Sequence, residues 1–362
     1  MSSLCEAMVR EGHDVTVFTT NANGKENLEE QTNTLYAING VNVFYFNRWT
    51  GDHSNFTPLL LQKLWFSARS FEVIHLHSWW NLVILPAVFI CMLRGIRPVL
   101  SPRGSITQYT FSHSRAFVKR WIHHLVGKPL MRHCLVHVTS RQEEEDVRKF
   151  AKDPVVYMIP NLLDLKDQFV ISPRDQKRLH LIYLGRIDPK KNIEFLLDVV
   201  LHHFDIPFTL EFVGEGSPAY VQGLKEKTSS HKSVSWAGPV YDDRKWEKLA
   251  SADILLLPSA NENYGNVILE ALSQGTAVLI SDQVGLKDYI VVNQLGWVAG
   301  TDPAEWRKVL NLAYSDKMIL RRIRSDAPSC IKRDFQQAAI VSQYMTMYNI
   351  VKKTTPIYSI PD

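Results

Sequence analysis

The sequence is poor in the features that mark secreted, metal-binding and membrane-spanning proteins. Its 362 residues include four cysteines, which are widely scattered and form no C-x-x-C pair or other metal-ligand spacing. Such cysteines are typical of reduced thiols in a cytosolic protein. The longest apolar stretch, 82–93, contains Pro86 and is too short for a bilayer, so it predicts a buried or interfacial helix. Glu6 and Arg10 come too early for a signal peptide, and we expect none.

Acidic residues are missing from a long stretch of the amino-terminal half. Between Val73 and Gln142 there is no Asp or Glu, whereas nine Arg or Lys and seven His occur there. This stretch is either an ordinary surface or a face that meets phosphate groups, an acidic substrate or the inner membrane surface. Its segment FVKRWIHHLVGKPLMRH interleaves Trp and Leu with basic residues, which is typical of an interfacial helix. The net charge of +4 is too small by itself to imply nucleic acid, and we expect no such partner.

Strand-like and helix-like segments alternate along the whole chain. A length of 362 residues exceeds one core of ordinary size, so two domains are expected. Segments such as DVTVFTT, VNVFYFN and FEVIHLHS alternate with helical ones, and the alternation restarts at LHLIYLGRI. The pattern predicts an α/β protein with two doubly wound domains and parallel sheets. The segment 162–179 lacks sustained periodicity and is predicted to be the linker.

Candidate ligand-binding residues follow the predicted strands of the second half, because open parallel sheets bind ligands beyond their carboxyl ends. The first strand ends in YLGRIDPKKN, where Gly185 allows close approach and Arg186 and Lys191 flank the turn. Two cations there suit a diphosphate, Arg through its planar fork and Lys as a point charge. A basic surface loop is the alternative. The next strand ends in VGEGSP, whose Gly214 and Gly216 form either an ordinary turn or one that a ligand passes.

Two acids bracket a glycine turn in ENYGNVILE. A helix is predicted to begin near Gly265 or Asn266, and its first backbone N–H groups form an anion site. Glu262 lies in the loop before it and Glu270 just over a turn inside it. A carboxylate can grip adjacent hydroxyls of a ribose or hexose, so the arrangement outlines a nucleotide-sugar site. The alternatives are a solvated helix acid for Glu270 and a charge that favours the helix dipole for Glu262.

His75 and His77 are candidates in the first half. Their spacing of two residues places both on one face of a strand, and metal binding would need more ligands than the sequence offers. We expect His77 to hydrogen-bond the acceptor or the sugar, with core packing as the alternative for either histidine. Trp79 and Trp80 either stack on a sugar ring or pack in the core.

Several motifs together resemble those of the retaining family 4 glycosyltransferases, which have the GT-B fold. They are GRIDPKKN, VGEGS, WAGPV and above all ENYGNVILEAL followed by GTAVLISD. The combination of Gly185-Arg186, Lys191 and the E-x7-E pattern of Glu262 and Glu270 is specific. Weaker landmarks of the amino-terminal domain are GHDVTVFTT, VIHLHSWW, SPRGS and IPNLLD, so the resemblance runs over nearly the whole chain.

The resemblance implies two Rossmann-like domains that face a cleft. An acceptor domain would span 1–163, a donor domain 164–334, and a last segment, 335–362, would cross back to the amino-terminal domain. The implied activity is retaining hexosyl transfer without metal or cofactor from a nucleotide-diphosphate sugar, expected to be a UDP-sugar. The expected acceptor is lipid-linked or a surface-polysaccharide intermediate, as in lipopolysaccharide or capsule synthesis. The expected location is cytoplasmic, with peripheral contact to the anionic inner membrane.

Residue roles follow from the same resemblance. Arg186 and Lys191 would bind the donor diphosphate and stabilise it as a leaving group. Glu270 would bind the ribose hydroxyls, and Glu262 would face the transferred sugar. The amides at the helix start would contact phosphate or sugar, and the backbone at 238–240 would border the nucleobase. The donor set is Gly185, Arg186, Lys191, Gly214, Val240, Glu262, Tyr264, Gly265, Asn266 and Glu270.

Two departures from the family pattern stand out. Members usually open with a strand and a glycine-rich loop, whereas this chain starts inside the following helix and lacks about 15 residues. The expectations are a misplaced start, a truncation or an impaired protein. Second, a slot near the reacting sugar that often holds histidine has Arg103, which can bind an anion but cannot act as a base. We expect Arg103 to be a catalytic and acceptor-binding residue that meets an acceptor phosphate; a structural arginine is the alternative.

Two other functional classes remain open. One is a catalytically impaired partner protein that binds a nucleotide sugar with its donor half. The other is a nucleotide-sugar epimerase of similar fold, which explains the combined motif spacing less well.

Overall fold

The computed structural model describes residues 2–24, 26–29, 32–51, 54–107, 110–111, 116–169, 177–202 and 206–354. The chain forms two compact units, Met1–Leu163 with Gln337–Asp362, and Asp164–Gln336. Both contain parallel sheets with helices, which confirms the predicted α/β class. The predicted linker, 162–179, includes the unit boundary, and its residues 170–176 lie outside the described part. Arg115 and the end of the predicted last segment, 355–362, also lie outside it.

The first unit contains nine described strands in three sheets. They are β1 (Thr16–Thr20), β2 (Ala22–Asn23), β3 (Glu26–Asn27), β4 (Leu35–Ile38), β5 (Val41–Phe46), β6 (His75–His77), β7 (Val99–Ser101), β8 (Leu135–Val138) and β9 (Val155–Met158). The largest sheet has the order β6-β7-β8-β9 and is wholly parallel. A second has the order β1-β5-β4, in which β4 and β5 form an antiparallel hairpin.

Helices pack on the sheets of the first unit and bury their apolar side chains, and the first helix packs on β5 through Cys5 against Val41 and Val43. They are α1 (Ser2–Arg10), α2 (Pro58–Ser67), α3 (Ile84–Leu93), α4 (Ala116–Ile122), which continues as a π-helical turn (His123–Gly127), α5 (Lys128–His133) and α6 (Arg141–Phe150). The core of this unit gathers Trp79, Val88, Cys91, Leu100 and Val136, each fully buried. Among the residues described, no helix combines the length and the apolarity needed to cross a membrane.

The second unit is built on one six-stranded parallel sheet. Its strands are β10 (Leu179–Leu184), β11 (Phe208–Val213), β12 (Val234–Gly238), β13 (Ile254–Leu257), β14 (Ala277–Ser281) and β15 (Gly296–Ala299). The spatial order β12-β11-β10-β13-β14-β15 is the 3-2-1-4-5-6 order of a dinucleotide-binding fold. Every residue of β13 and β14 is buried, as expected for central strands covered on both faces.

The helices of the second unit connect these strands. They are α7 (Ile193–Leu201), α8 (Pro218–Thr228), α9 (Asp242–Ser251), α10 (Asn266–Ser273), α11 (Lys287–Asn293), α12 (Pro303–Ser315) and α13 (Lys317–Asp334). The last helix, α14 (Gln337–Thr354), belongs to the first unit. There Tyr344 and Met347 are almost completely buried, and the Tyr348 hydroxyl lies 2.8 Å from Nδ1 of His75.

Candidate functional site

The strand order of the second unit reverses between β10 and β13. These neighbours run parallel, with Leu181 paired to Ile254, so their carboxyl ends lie at one edge of the sheet. Such a reversal is where open α/β sheets bind ligands. The loop after β13 is tied to the loop after β10, because the N–H of Ala260 donates to the carbonyl of Lys190 at 3.0 Å. Two motifs that are far apart in the sequence therefore share this edge.

Lys191 and Glu262 form an ion pair at this edge. Lys191 ends the 3₁₀ turn Pro189–Lys191. The backbone of Glu262 is fixed on both sides: its N–H donates to the carbonyl of Gln283 at 3.0 Å, and its carbonyl accepts from the N–H of Gly285 at 2.9 Å. Each charged side chain is only 19% exposed, so water screens this pair less than it screens a surface pair.

Glu270 has a lysine partner of its own. Its Oε1 lies 3.0 Å from Nζ of Lys245, and the two side chains are 17% and 26% exposed. Glu270 is therefore shielded and paired rather than freely solvated. The sequence carries no signal for Lys245, because the segment DDRKWEKLASA has the composition of an ordinary charged surface helix.

The turn between the two acids requires glycine. Gly265 is the N-cap residue of α10 and has φ of 84°, a left-handed conformation that glycine adopts without steric strain. Helix α10 begins at Asn266, which confirms the predicted start. Tyr264, just before the cap, is buried, with 4% of its surface exposed. The first N–H groups of α10 thus lie between Glu262 and Glu270 in sequence, where they can serve an anion.

A cavity of about 520 Å³ opens at the carboxyl ends of β10, β11 and β12, within the size range of small-molecule sites. Gly185, Arg186, Gly214 and Val240 line it. The Arg186 side chain is 69% exposed, and its Nε lies 3.9 Å from Oδ2 of Asp188, so a ligand can reach the guanidinium. The predicted donor residues outside this lining are Lys191, Glu262, Tyr264, Gly265, Asn266 and Glu270.

Gly214 and Gly216 bring two walls of the cavity together. A Cβ on Gly214 would lie 1.9 Å from the carbonyl oxygen of Gly185, and one on Gly216 would lie 1.9 Å from that of Ile187. The N–H of Ile187 also donates to the carbonyl of Glu215 at 2.7 Å. The loops after β10 and β11 therefore pack backbone against backbone. This loop contact by itself requires both glycines.

The shifted pKa values of two side chains, Lys190 and Tyr183, show that this edge is shielded from water. Burial lowers the pKa of the Lys190 ammonium, and the Glu262 carboxylate partly offsets that effect. Burial, with the same carboxylate, raises the pKa of Tyr183, whose hydroxyl donates to the carbonyl of Arg186 at 2.7 Å. Charges in such surroundings interact more strongly than charges in bulk water.

A chain of hydrogen bonds links two histidines of the first unit. Nε2 of His137 donates to the carbonyl of Ile159 at 3.0 Å, so its Nδ1 accepts from Ser101 Oγ at 2.6 Å. That hydroxyl accepts in turn from Nε2 of His75 at 2.7 Å, and Nδ1 of His75 accepts from Tyr348 at 2.8 Å. Burial lowers the pKa of His137 to about 3 and that of His75 well below the usual range. Both are therefore neutral at pH 7.

His77 lies against His75 but outside that chain. Their ring centroids are 4.1 Å apart, and both ring nitrogens of His77 are buried without a hydrogen-bond partner among the described residues. Burial also lowers the pKa of His77 well below its usual range. Unpartnered buried polar atoms are rare and costly, so His77 can serve a ligand hydroxyl. Trp79 and Trp80, in contrast, pack in or against the hydrophobic core.

Arg103 lies near His77 in the turn after β7. Its φ is 54°, and its guanidinium donates to Oδ1 of Asn161. The N–H of Gly104 donates to the Glu143 carboxylate at 2.7 Å, which anchors the turn. The positive charge of Arg103 contributes to the lowered pKa of His77. The structure thus gathers both predicted acceptor residues, and Arg103 also has a structural contact.

Two family models match the chain in succession. The model for "Glycosyltransferase Family 4" matches residues 1–167, and the one for "Glycosyl transferases group 1" matches residues 164–329. Together they cover residues 1–329, which leaves the end of α13 and all of α14 outside the matches.

Comparisons with individual sequences and solved structures agree with these family matches. The phosphatidyl-myo-inositol mannosyltransferase of Mycobacterium tuberculosis is 24% identical over 305 residues, which are 80% of this chain and 76% of that protein. The sucrose-phosphate synthase of Thermosynechococcus elongatus superposes with a TM-score of 0.75 at 19% identity, over 96% of this chain and 91% of that one. HepE of Anabaena in complex with UDP gives a TM-score of 0.70 at 16% identity, over 86% and 87%.

Proposed function

Because this chain belongs to glycosyltransferase family 4 and has the GT-B fold, we propose that it transfers a hexose from a UDP-sugar with retention and without a metal. The proposed acceptor is lipid-linked or a surface-polysaccharide intermediate. The observation that carries the proposal is the edge of the second sheet, where Lys191–Glu262 and Lys245–Glu270 flank the start of α10. A relative named as acting on phosphatidyl-myo-inositol and a structural neighbour that holds UDP support the lipid acceptor and the donor.

The donor diphosphate binds to the cationic side chains at this edge of the sheet. Arg186 is exposed at the cavity and binds phosphate through its fork, while Lys191 contributes a point charge. The N–H groups at the start of α10 add donors for the anion. Glu270 accepts from the ribose hydroxyls, and Glu262 accepts from hydroxyls of the transferred sugar. The base borders Val240 in the cavity wall.

The reaction breaks the bond between the anomeric carbon and the diphosphate oxygen. Negative charge then develops on the leaving diphosphate, and Arg186, Lys191 and the helix amides stabilise it. Each such donor contributes about 3 kcal/mol to lowering the barrier. The acceptor hydroxyl oxygen bonds to the anomeric carbon on the face that the diphosphate leaves, and its proton passes to a diphosphate oxygen. No separate protein base is then required, and the configuration is retained.

The acceptor is proposed to use the first unit. His77, whose ring nitrogens have no hydrogen-bond partner among the described residues, is proposed to hydrogen-bond an acceptor hydroxyl, and Arg103 is proposed to bind an acceptor phosphate. A lipid-linked acceptor also requires access to a membrane, so we propose peripheral contact with its anionic inner face.

The helix formed by α4 and its π-helical turn fits that contact. Phe117, Trp121 and Leu125, spaced four residues apart, are 74%, 53% and 63% exposed. His123 is 3% exposed, and a Cβ on Gly127 would lie 3.1 Å from Trp79. The helix therefore packs against the rest of the unit through a narrow stripe that includes His123 and Gly127. Its apolar residues face outward in a stretch of chain without acids, which is typical of an interfacial helix.

The test is transfer or donor hydrolysis by the purified protein with a panel of UDP-sugars, with and without EDTA. We expect activity with at least one UDP-sugar and an unchanged rate in EDTA. Absence of transfer and hydrolysis with every UDP-sugar would overturn the proposal. Loss of the rate in EDTA with recovery on added metal would overturn metal independence alone.

A further inference from the structure

Lys245 occupies a place that no sequence motif marks, next to one of the two site carboxylates. Helix α9 starts directly after Pro239, Val240 and Tyr241, which form one wall of the cavity. Lys245 lies in the first turns of this helix. Its ammonium is 3.0 Å from Oε1 of Glu270.

We propose that Lys245 is a positioning residue for the donor ribose, and that through Glu270 it makes the site prefer ribonucleotides to 2′-deoxyribonucleotides. This inference rests on the proposed function, in which Glu270 binds the ribose hydroxyls. It adds a residue and a source of selectivity to that function.

The position of the Lys245 ammonium is fixed by two contacts. It lies 4.5 Å from the centroid of the Trp246 ring, within cation–π range, and Trp246 itself is 5% exposed. The second contact is Glu270, on a helix whose neighbouring residues Leu269 and Ala271 are fully buried. Both partners therefore stand on packed elements.

The charge of Lys245 matters because the Glu270 side chain is only 17% exposed. A shielded carboxylate that loses its cation is costly, so its side chain rotates toward water. Lys245 holds Oε1 of Glu270, which fixes the plane of the carboxylate. Oε2 and the remaining lone pairs then keep one orientation toward two adjacent hydroxyls.

Selectivity follows from that fixed orientation. A ribose offers two adjacent hydroxyls to the carboxylate, whereas a 2′-deoxyribose offers one. Hydrogen bonds to a charged group are among the stronger ones, so the loss of one hydroxyl lowers the affinity. When the carboxylate is free to rotate, a bond to the second hydroxyl adds little to the affinity. The difference in affinity between the ribonucleotide and its 2′-deoxy form then becomes smaller.

The same helix provides a matched control. Lys248 pairs with Glu211 at 2.6 Å, and these side chains are 32% and 31% exposed. Glu211 lies within β11 (Phe208–Val213) and is not among the residues that line the cavity. Lys248→Met therefore removes an ion pair from α9 without touching the proposed ribose contact.

The experiment is calorimetric titration of wild type, Lys245→Met, Lys245→Arg and Lys248→Met with UDP, GDP and ADP and their 2′-deoxy forms. We expect wild type to bind one ribonucleotide about tenfold more tightly than its deoxy form, the value of about one charged hydrogen bond. Lys245→Met should lose most of that ratio mainly through weaker ribonucleotide binding. Lys245→Arg should restore part of it, and Lys248→Met should match wild type.

Three outcomes overturn the inference. They are a wild-type ratio retained in Lys245→Met, a loss of the ratio in Lys248→Met as well, and a wild-type protein that binds both forms equally. A wild type that binds none of the nucleotides overturns the proposed function itself. Adding Glu270→Gln to Lys245→Met separates a shared role from two independent ones, since a shared role predicts little further loss.

Discussion

Lys191 and Glu262, brought together from loops after two neighbouring strands, form a shielded ion pair at the carboxyl edge of the second sheet. The proposed mechanism assigns the ammonium to the donor diphosphate and the carboxylate to the transferred sugar. The two groups therefore serve adjacent parts of one substrate, and the diphosphate competes with Glu262 for Lys191. This competition gives different expectations for the two residues.

Glu262→Gln is expected to bind UDP a few-fold more tightly than wild type, because the Lys191 ammonium no longer has a carboxylate competitor. Sugar transfer should nevertheless fall by at least about a hundredfold, since the contact with the reacting sugar is lost. Calorimetry with UDP and initial rates with the active UDP-sugar measure both effects. Weaker UDP binding by Glu262→Gln would contradict the competition.

Lys191→Ala should lower both UDP affinity and turnover while the fold remains intact. The loss in kcat is expected to be about a hundredfold or more, because one donor to the leaving diphosphate is gone. Thermal denaturation and circular dichroism check the fold. Full turnover in Lys191→Ala would remove this residue from the mechanism.

Gly214→Ala and Gly216→Ala are expected to destabilise the second unit and weaken nucleotide binding together. The new Cβ would meet a backbone carbonyl oxygen at 1.9 Å in each case, which forces the two loops apart at the cavity. We expect each free energy of unfolding to fall by more than about 1 kcal/mol. Gly223→Ala is the control, since no atom lies within 4 Å of its new Cβ and alanine favours a helix by about 0.5–1 kcal/mol.

The buried histidines make the first unit sensitive to acid. The folded-state pKa of His137 is about 3, whereas an unfolded histidine has a pKa of about 6.5. Between these values the unfolded chain binds more protons, so the free energy of unfolding falls as pH drops below about 6.5. Lowering the pH from 7 to 5 should cost about 2 kcal/mol for this residue alone.

Urea denaturation at several pH values tests that slope. His137→Gln should flatten the dependence between pH 5 and 7, whereas replacement of the exposed His124 should leave it unchanged. An unaltered slope in His137→Gln would show that other groups cause the acid sensitivity.

The outward face of α4 and its π-helical turn should bind anionic vesicles. We expect wild type to cosediment with vesicles that contain about one third phosphatidylglycerol and much less with pure phosphatidylcholine. Leu125→Asp should lose most of this binding, because it places a charge in the apolar face. Val292→Asp, at a side chain that is 78% exposed in α11, is the matched control, and equal loss in both variants would refute the assigned surface.

The donor edge could be predicted from the sequence because its motifs lie at strand ends. Gly185, Arg186 and Lys191 follow one apolar strand, and the E-x7-E stretch follows another, so parallel pairing alone brings them to one edge. The cap at Gly265 fixed the start of α10 for a local reason. Lys245 has no such local signal, since its partner Glu270 comes from a different helix.

Two elements of the fold were not predicted from the sequence, and the reasons differ. The β4–β5 hairpin was missed although Asn39 and Gly40, with φ of 50° and 80°, form the Asn-Gly turn that favours hairpins. Helix α13 was missed because it contains Pro328, which ordinarily ends a helix. Because Pro328 has no N–H, it cannot donate to the carbonyl of Arg324, four residues earlier. The oxygen of that carbonyl would lie 2.6 Å from a Cβ on Gly275, so this part of α13 packs closely against Gly275.

The place of α14 has a consequence for synthesis of the chain. Residues 164–336 form the second unit without any other segment, whereas the first unit includes α14, which buries Tyr344 and Met347. A ribosome releases the chain from its amino terminus onward. The unit that is made first therefore waits for the last helix before its core is complete, and the second unit can fold before it. Expression of residues 1–163 alone should accordingly expose the apolar surface that α14 covers and yield aggregated protein.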